Sequence, residues 1–177
     1  MKTIMVYKSN SGYVKKYADM ISSELKCDIR EGSKVSLDQL KNYDIIIFGG
    51  GLYAVGINGI KLLKNNIDSL VDKKIVVFAS GASPFREEVY DEVINKNFTL
   101  EQQELIKFFY LRGGFDFKKL KLRHKVVMKG MKMHLSKKDE LTEDEAGMLA
   151  AFDKPVDFTS KENAQELIDY VKSIRGF

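Results

Sequence analysis

Cysteine is almost missing from this chain. Cys27 is the single one among 177 residues, which excludes an internal disulfide framework and a cysteine-rich zinc site. Histidine is scarce too: His124 and His134 are the only two, and neither sits in a carboxylate-bearing ligand pattern, so no metal site is expected. Long apolar runs are also lacking. The run that opens the chain is too short for a signal peptide, and no later run reaches membrane-spanning length. The expected compartment is therefore the cytoplasm. No repeat, low-complexity tract or linker divides the sequence, so one domain over residues 1–177 is expected. Hydrophobic residues at 44% against 31% charged are the ordinary balance of a globular protein, and the length suffices for a sizeable core.

Acidic residues are missing from one segment in particular. Between Lys118 and Lys138 there are nine Lys or Arg and no Asp or Glu. Taking those nine from the 29 basic residues leaves 20 against 25 acidic ones, about −5, although the whole chain is +4. The positive charge is thus local, and it marks a basic helical insertion at about residues 116–138.

What is present is an alternation of strand-length apolar runs with helix-periodic segments. Strands are expected at Thr3–Tyr7, Cys27–Arg30, Tyr43–Gly50, Lys73–Ser80 and Ile106–Arg112. The segment from Gly12 to Leu25 spaces Val14, Tyr17, Ala18, Ile21 and Leu25 by threes and fours, an amphipathic helix. Further helices are expected over Asn58–Leu70, Pro84–Lys96 and Thr159–Ile174. The last takes Thr159 or Ser160 as N-cap and buries Leu167, Ile168, Val171 and Ile174. A short helical turn at Thr99–Leu105 has Thr99 and Gln102 spaced as a capping box. Strands buried on both faces and alternating with helices imply an α/β fold, a doubly wound five-stranded parallel sheet covered on both sides. Ligands bind such sheets at the carboxyl ends of the strands.

The loops at those ends are therefore the ones that carry chemistry. After the first strand, Ser9-Asn10-Ser11-Gly12-Tyr13-Val14 places hydroxyl and amide groups at a helix N-terminus, where free N–H groups and the helix dipole favour an anion. A capped helix start would read the same way. The P-loop and G-x-G-x-x-G patterns are absent. So are the cysteine of a cysteine phosphatase loop and the strand-end aspartate of a receiver, where Lys8 stands instead. After the third strand, "GGGLYAVGIN" can lay backbone and the Tyr53 ring against a flat ligand, or form a Gly-rich turn with Tyr53 on the core. Ser80-Gly81-Ala82-Ser83-Pro84 follows the fourth strand, and Arg112-Gly113-Gly114-Phe115 the fifth.

Taken together these loops resemble those of the flavodoxin-like FMN-binding proteins. Ser9 to Val14 looks like the hydroxyl-rich phosphate loop; "YDIIIFGGGLYAVG" and "VVFASGAS" look like the two loops that flank the isoalloxazine. Within that family, "GGGLYAVGINGI" and "FFYLRGGFDF" leading into a basic, Met-rich helix look most like the branch containing the menaquinone-dependent protoporphyrinogen oxidases. The resemblance implies the sheet order 2-1-3-4-5 and FMN as cofactor. It places Ser9, Asn10, Ser11, Gly12, Tyr13 and Val14 around the phosphate. Gly51, Leu52, Tyr53, Ala54 and Gly56 would flank one side of the flavin, and Ser80, Gly81 and Ala82 would approach its polar edge. Val14 stands where many flavodoxins carry Thr, and the chain lacks the strong acidity of small electron-transfer flavodoxins.

The function so implied is an FMN-dependent oxidoreductase, with protoporphyrinogen or a similar substrate as donor and a quinone or redox protein as acceptor. The alternatives are a non-enzymatic FMN electron carrier and a module that has lost its cofactor. No side chain is an obvious general acid or base. The basic segment spaces Leu120, Val127, Met131 and Leu135 helically. It is expected either to pack on the domain with a solvated basic face, or to meet an anionic membrane surface at the inner face of the membrane, an acidic partner or an acidic substrate. The acids from Asp139 to Glu145 can neutralise part of it. No nucleic-acid-reading motif accompanies the charge.

Overall fold

Ile4, Met5 and Val6 are all removed from water, so β1 (Thr3–Lys8) must have cover on both faces. A computed structural model, which describes residues 1–120 and 122–176, shows what provides it. β1 lies between β2 (Asp28–Glu31) and β3 (Ile45–Tyr53). β5 (Lys74–Gly81) and β6 (Ile106–Arg112) continue the sheet in the order β2-β1-β3-β5-β6. These five strands are parallel and in register, one row running Ile29, Met5, Ile47, Val76, Lys107. The order is the expected 2-1-3-4-5; the numbering shifts because a two-residue strand, β4 (Gly56–Ile57), turns back antiparallel on the end of β3.

Alternate residues of each strand enter opposite cores. Ile4, Val6, Ile46, Phe48, Val77 and Phe108 pack against α2 (Leu37–Lys41), α3 (Lys61–Lys64), a 3-10 turn at Ile67–Leu70 and α4 (Glu87–Asn97). Met5, Ile47, Val76, Phe78 and Phe109 pack against α1 (Tyr13–Leu25) and α8 (Lys161–Arg175). Burial of Leu167, Ile168 and Val171 contributes about 1.5–3 kcal/mol each to docking α8. The Ser160 side chain accepts from Asn163 N, and Gly176 ends the helix in the left-handed conformation (φ 83°). Tyr17 joins three elements at one point: its hydroxyl donates to Arg112 O and accepts from Asn163 Nδ2. Burial raises its pKa, so it remains a donor at neutral pH. The expected capping box at Thr99 and Gln102 starts α5 (Leu100–Glu104).

Four expectations need correction. The helix expected over Asn58–Leu70 is broken into α3 and the 3-10 turn. Asn66 Nδ2 donates to Leu62 O at 2.7 Å, a side-chain bond that competes with continuation of the helix. The helix expected from Pro84 starts at Glu87, because Arg86 is extended (φ −144°, ψ 144°). The third strand, expected to end at Gly50, continues to Tyr53, so the segment read as a loop after it begins as a β-hairpin. The basic segment forms α6 (Leu122–Leu135), but its expected stripe is not uniformly packed: Leu135 is buried, Leu120 half-buried, and Val127 and Met131 exposed. Lys121 lies outside the described residues, as does the side chain of Arg123. The acidic run after α6 opens a further helix, α7 (Glu143–Ala151), through a Thr142–Glu145 capping box. Lys138 pairs with Glu145 and Lys132 with Asp153, so part of the basic charge is neutralised. β7 (Gly114–Phe115) and β8 (Val156–Asp157) form a small antiparallel ladder that brackets α6 and α7.

Candidate cofactor site

The carboxyl ends of β1, β3, β5 and β6 converge on one cavity of about 480 Å³, within the usual range for small-molecule sites. Its floor begins at the β1–α1 turn. Gly12 has φ 97°, which a side chain would strain, and this lets the turn close directly onto α1. Gly12 N donates to Ser9 Oγ (3.1 Å). No side chain caps α1, and no acid lies in its first turn, so the N–H groups of Tyr13, Val14 and Lys15 have no partner within the helix. Nearby cations are engaged elsewhere: Lys8 with Glu31, Lys15 with Asp19 and Lys16 with Asp157. An anion here would be held by backbone dipoles and hydroxyls.

One side wall is the β3–β4 hairpin, with Gly51, Leu52, Tyr53, Ala54 and Val55 on the cavity. Ala54 takes a positive φ of 52° at its tip. Buried Asn97 in α4 holds the hairpin: its Oδ1 accepts from Ile57 N, and its Nδ2 donates to Val55 O and Val93 O. Asn10 Nδ2 donates to the Tyr53 hydroxyl at 2.8 Å, joining this wall to the floor. The Tyr53 ring stacks on His124 of α6, with centroids 4.0 Å apart.

The opposite wall is Ser80, Gly81, Ala82 and Ser83. A Cβ on Gly81 would lie 2.8 Å from the Tyr110 hydroxyl and 3.2 Å from Leu52, so a side chain there would displace the Tyr110 hydroxyl. Tyr110 donates to Ser83 O (2.8 Å); burial raises its pKa and keeps the proton in place. Arg112 Nε donates to Ala82 O, and Gly113 N to Gly81 O. The end wall is Tyr13, Phe115 and buried Asp116, whose Oδ1 accepts from Lys118 N. Burial, with Asp116 and Asp157 nearby, raises the Tyr13 pKa. The roof is Leu120, His124, Val127, Met128 and Met131, with Met148 from α7.

Among the described residues, two buried side-chain polar atoms lack a hydrogen-bond partner, Ser80 Oγ and Asn58 Nδ2. Both residues line this cavity. A second cavity of about 300 Å³ lies near the start of β1 and contains Lys2, Arg30 and Tyr43; it is remote from the strand ends.

A flavodoxin-domain family model matches residues 4–142. The chain belongs to the flavodoxin-domain family. An uncharacterized protein of Methanocaldococcus jannaschii is 32% identical over 123 residues, which are 65% of this chain and 81% of that protein. Among solved structures, oxidised flavodoxin 2 of Bacillus cereus is 21% identical, covering 63% of this chain and 84% of its own (TM-score 0.47). The Trp repressor binding protein of Bacillus subtilis is 12% identical, covering 63% and 85% (TM-score 0.49). The family assignment rests on the model match and the topology, not on these distant likenesses.

Membership of this family implies FMN as the cofactor, and the residues of the cavity fit it. The uncapped, acid-free start of α1 suits a phosphate. Of the residues expected from the sequence, Asn10, Ser11, Tyr13, Val14, Gly51, Leu52, Tyr53, Ala54, Ser80, Gly81 and Ala82 line the cavity. Ser9, Gly12 and Gly56 do not. Ser9 accepts the Gly12 N–H, and Gly56 pairs with Tyr53 in the hairpin. Sequence reading missed Asn58, Tyr110, Asp116 and His124. The first three lie on or just after strands already marked as cavity edges, whereas nothing local in the sequence brings His124 to Tyr53.

Proposed function

We propose that this protein is an FMN-dependent oxidoreductase that acts on an organic substrate admitted beneath α6. The observation that carries this reading is the covered cavity itself, whose floor is the uncapped, acid-free start of α1. In it, the first N–H groups of α1 would hold the phosphate, with Asn10 and Ser11 beside them. Ser80, Gly81 and Ala82 would approach the polar part of the ring system, and Leu52, Tyr53 and Val55 would bound it laterally. Bound FMN supplies the electron-accepting and electron-donating chemistry. Leu120, Met128 and Met148 form an apolar roof, and half-buried His124 stacks on the Tyr53 ring within it. An exposed carrier would leave its cofactor open to partner proteins; here α6 and α7 cover it.

The loop resemblance suggests protoporphyrinogen as substrate and a quinone as acceptor. Lys118 and Lys119, next to an apolar roof, would suit a flat apolar molecule bearing carboxylates. The test has two stages. Cofactor-free protein is first titrated with FMN, following quenching of flavin fluorescence. The loaded protein is then assayed for porphyrin formation from protoporphyrinogen with a quinone. Binding with turnover supports the full reading. Binding without turnover leaves a flavoprotein with another substrate or a carrier, and no binding contradicts the cofactor assignment.

A further inference from the structure

α6 has two faces, and the cavity uses one of them. His124, Met128 and Leu135 point inward, following the helical repeat, and Met131 lies exposed at the cavity edge. Leu122, Val126 and Met133 recur on another side, where they are 80%, 65% and 60% exposed. Beside this apolar ridge runs a second line at helical spacing, Lys125, Lys129 and Lys132. Lys132 pairs with Asp153, while Lys125 and Lys129 have no ion-pair partner among the described residues.

We propose that this outer face of α6 seats on an anionic lipid bilayer. The ridge supplies the side chains that enter the headgroup region, and the lysine line beside it supplies the attraction to acidic lipids. Charge complementarity favours a bilayer over a second copy of this chain. A two-fold contact would bring the acid-free segment from Lys118 to Lys138 against itself. The ridge also leads to Val127 and Met131, both exposed yet part of the cavity wall. A chain so seated presents its roof helix to the membrane, and a lipid-soluble redox partner would reach the cavity along apolar side chains. Among the described residues no helix is long and apolar enough to cross a membrane, so the contact is one of lying on the surface. The proposal concerns the outside of α6 and stands whatever substrate the cavity accepts.

The test is flotation of the FMN-loaded full chain with vesicles of phosphatidylcholine alone or mixed in equal parts with phosphatidylglycerol. Wild type is expected to float with the mixed vesicles only, and less so in high salt. Lys125→Ser with Lys129→Ser should lower partitioning about 30-fold, at roughly fivefold per lysine. Leu122→Ser with Val126→Ser should abolish flotation while leaving flavin binding and the melting temperature unchanged, since neither side chain touches the cavity. Wild type that floats with neither vesicle, or variants that float like wild type, would overturn the proposal. So would a dimer that the Leu122→Ser, Val126→Ser variant dissociates. Flavin absorbance of the floated fraction is read separately: protein floating without flavin contradicts the cofactor assignment and leaves the bilayer contact standing.

Discussion

Replacing Ser80 by alanine removes one oxygen from a side chain that is 6% exposed. That oxygen has no hydrogen-bond partner among the described residues. A buried hydroxyl without a partner costs about 1–3 kcal/mol, so Ser80→Ala should stabilise the cofactor-free chain, by about 1–2 kcal/mol after allowing for the small gap left behind. For a chain of this length each kcal/mol moves the melting temperature by about 2–4 °C. The effect on binding differs: Ser80 Oγ exposes almost no surface to the cavity, so the variant should bind FMN as wild type does. Urea melts of the stripped protein and fluorescence titration with FMN read the two effects independently. A stripped variant less stable than wild type would show that Ser80 Oγ is already satisfied. Weakened FMN affinity would show that this side chain turns to meet the cofactor.

Three other outcomes follow from the same contacts. Asn97→Ala leaves the Ile57 N–H and Val55 carbonyl without their partner; it should cost about 2–4 kcal/mol in urea unfolding and speed hydrogen exchange at the Ile57 amide. Tyr53→Phe removes the acceptor of Asn10 Nδ2, and a loss of about 1 kcal/mol should weaken FMN binding about fivefold in titration, with the His124 stack retained. Glu24 accepts from Lys161 and Lys172, and these two bonds lower its pKa from 4.5 to about 2. Its folded pKa is depressed, so its contribution is full above the unfolded value and disappears as pH falls from 4.5 to about 2. The stability difference between wild type and Glu24→Gln, measured by denaturant unfolding across pH, should close over that window; a constant difference would show that the two lysines do not hold Glu24.

The parallel strands were legible because burial on both faces writes an uninterrupted apolar run, as in Ile45–Phe48 and Ile75–Phe78. α1 and α8 were legible because each buries one stripe against an already complete sheet. Local patterns failed where a tertiary partner decides the outcome. Gly49–Gly51 looks like a turn, yet it continues β3 because the strand pairs β5 up to Ser80, and Asn97, more than forty residues away, fixes the hairpin beyond it. α2 and α7 are short helices started by capping boxes at Ser36–Gln39 and Thr142–Glu145; the motifs are visible, but too few apolar positions follow to announce a helix. The phosphate loop and strand-end residues of the cavity could be named in advance, since they adjoin recognisable strands. The roof could not, because α6 distributes apolar residues around most of its circumference, and sequence does not say which of them turn inward.

The central claim is that the cavity at the strand ends is a flavin site, and its most direct measurement is a titration of the cofactor-free chain with FMN set beside one with riboflavin. The account predicts saturable one-to-one binding of FMN, with quenching of flavin fluorescence, and much weaker binding of riboflavin, which lacks the phosphate that the start of α1 would hold. Equal affinity for the two would contradict the phosphate role of that loop, and no binding of either would contradict the site.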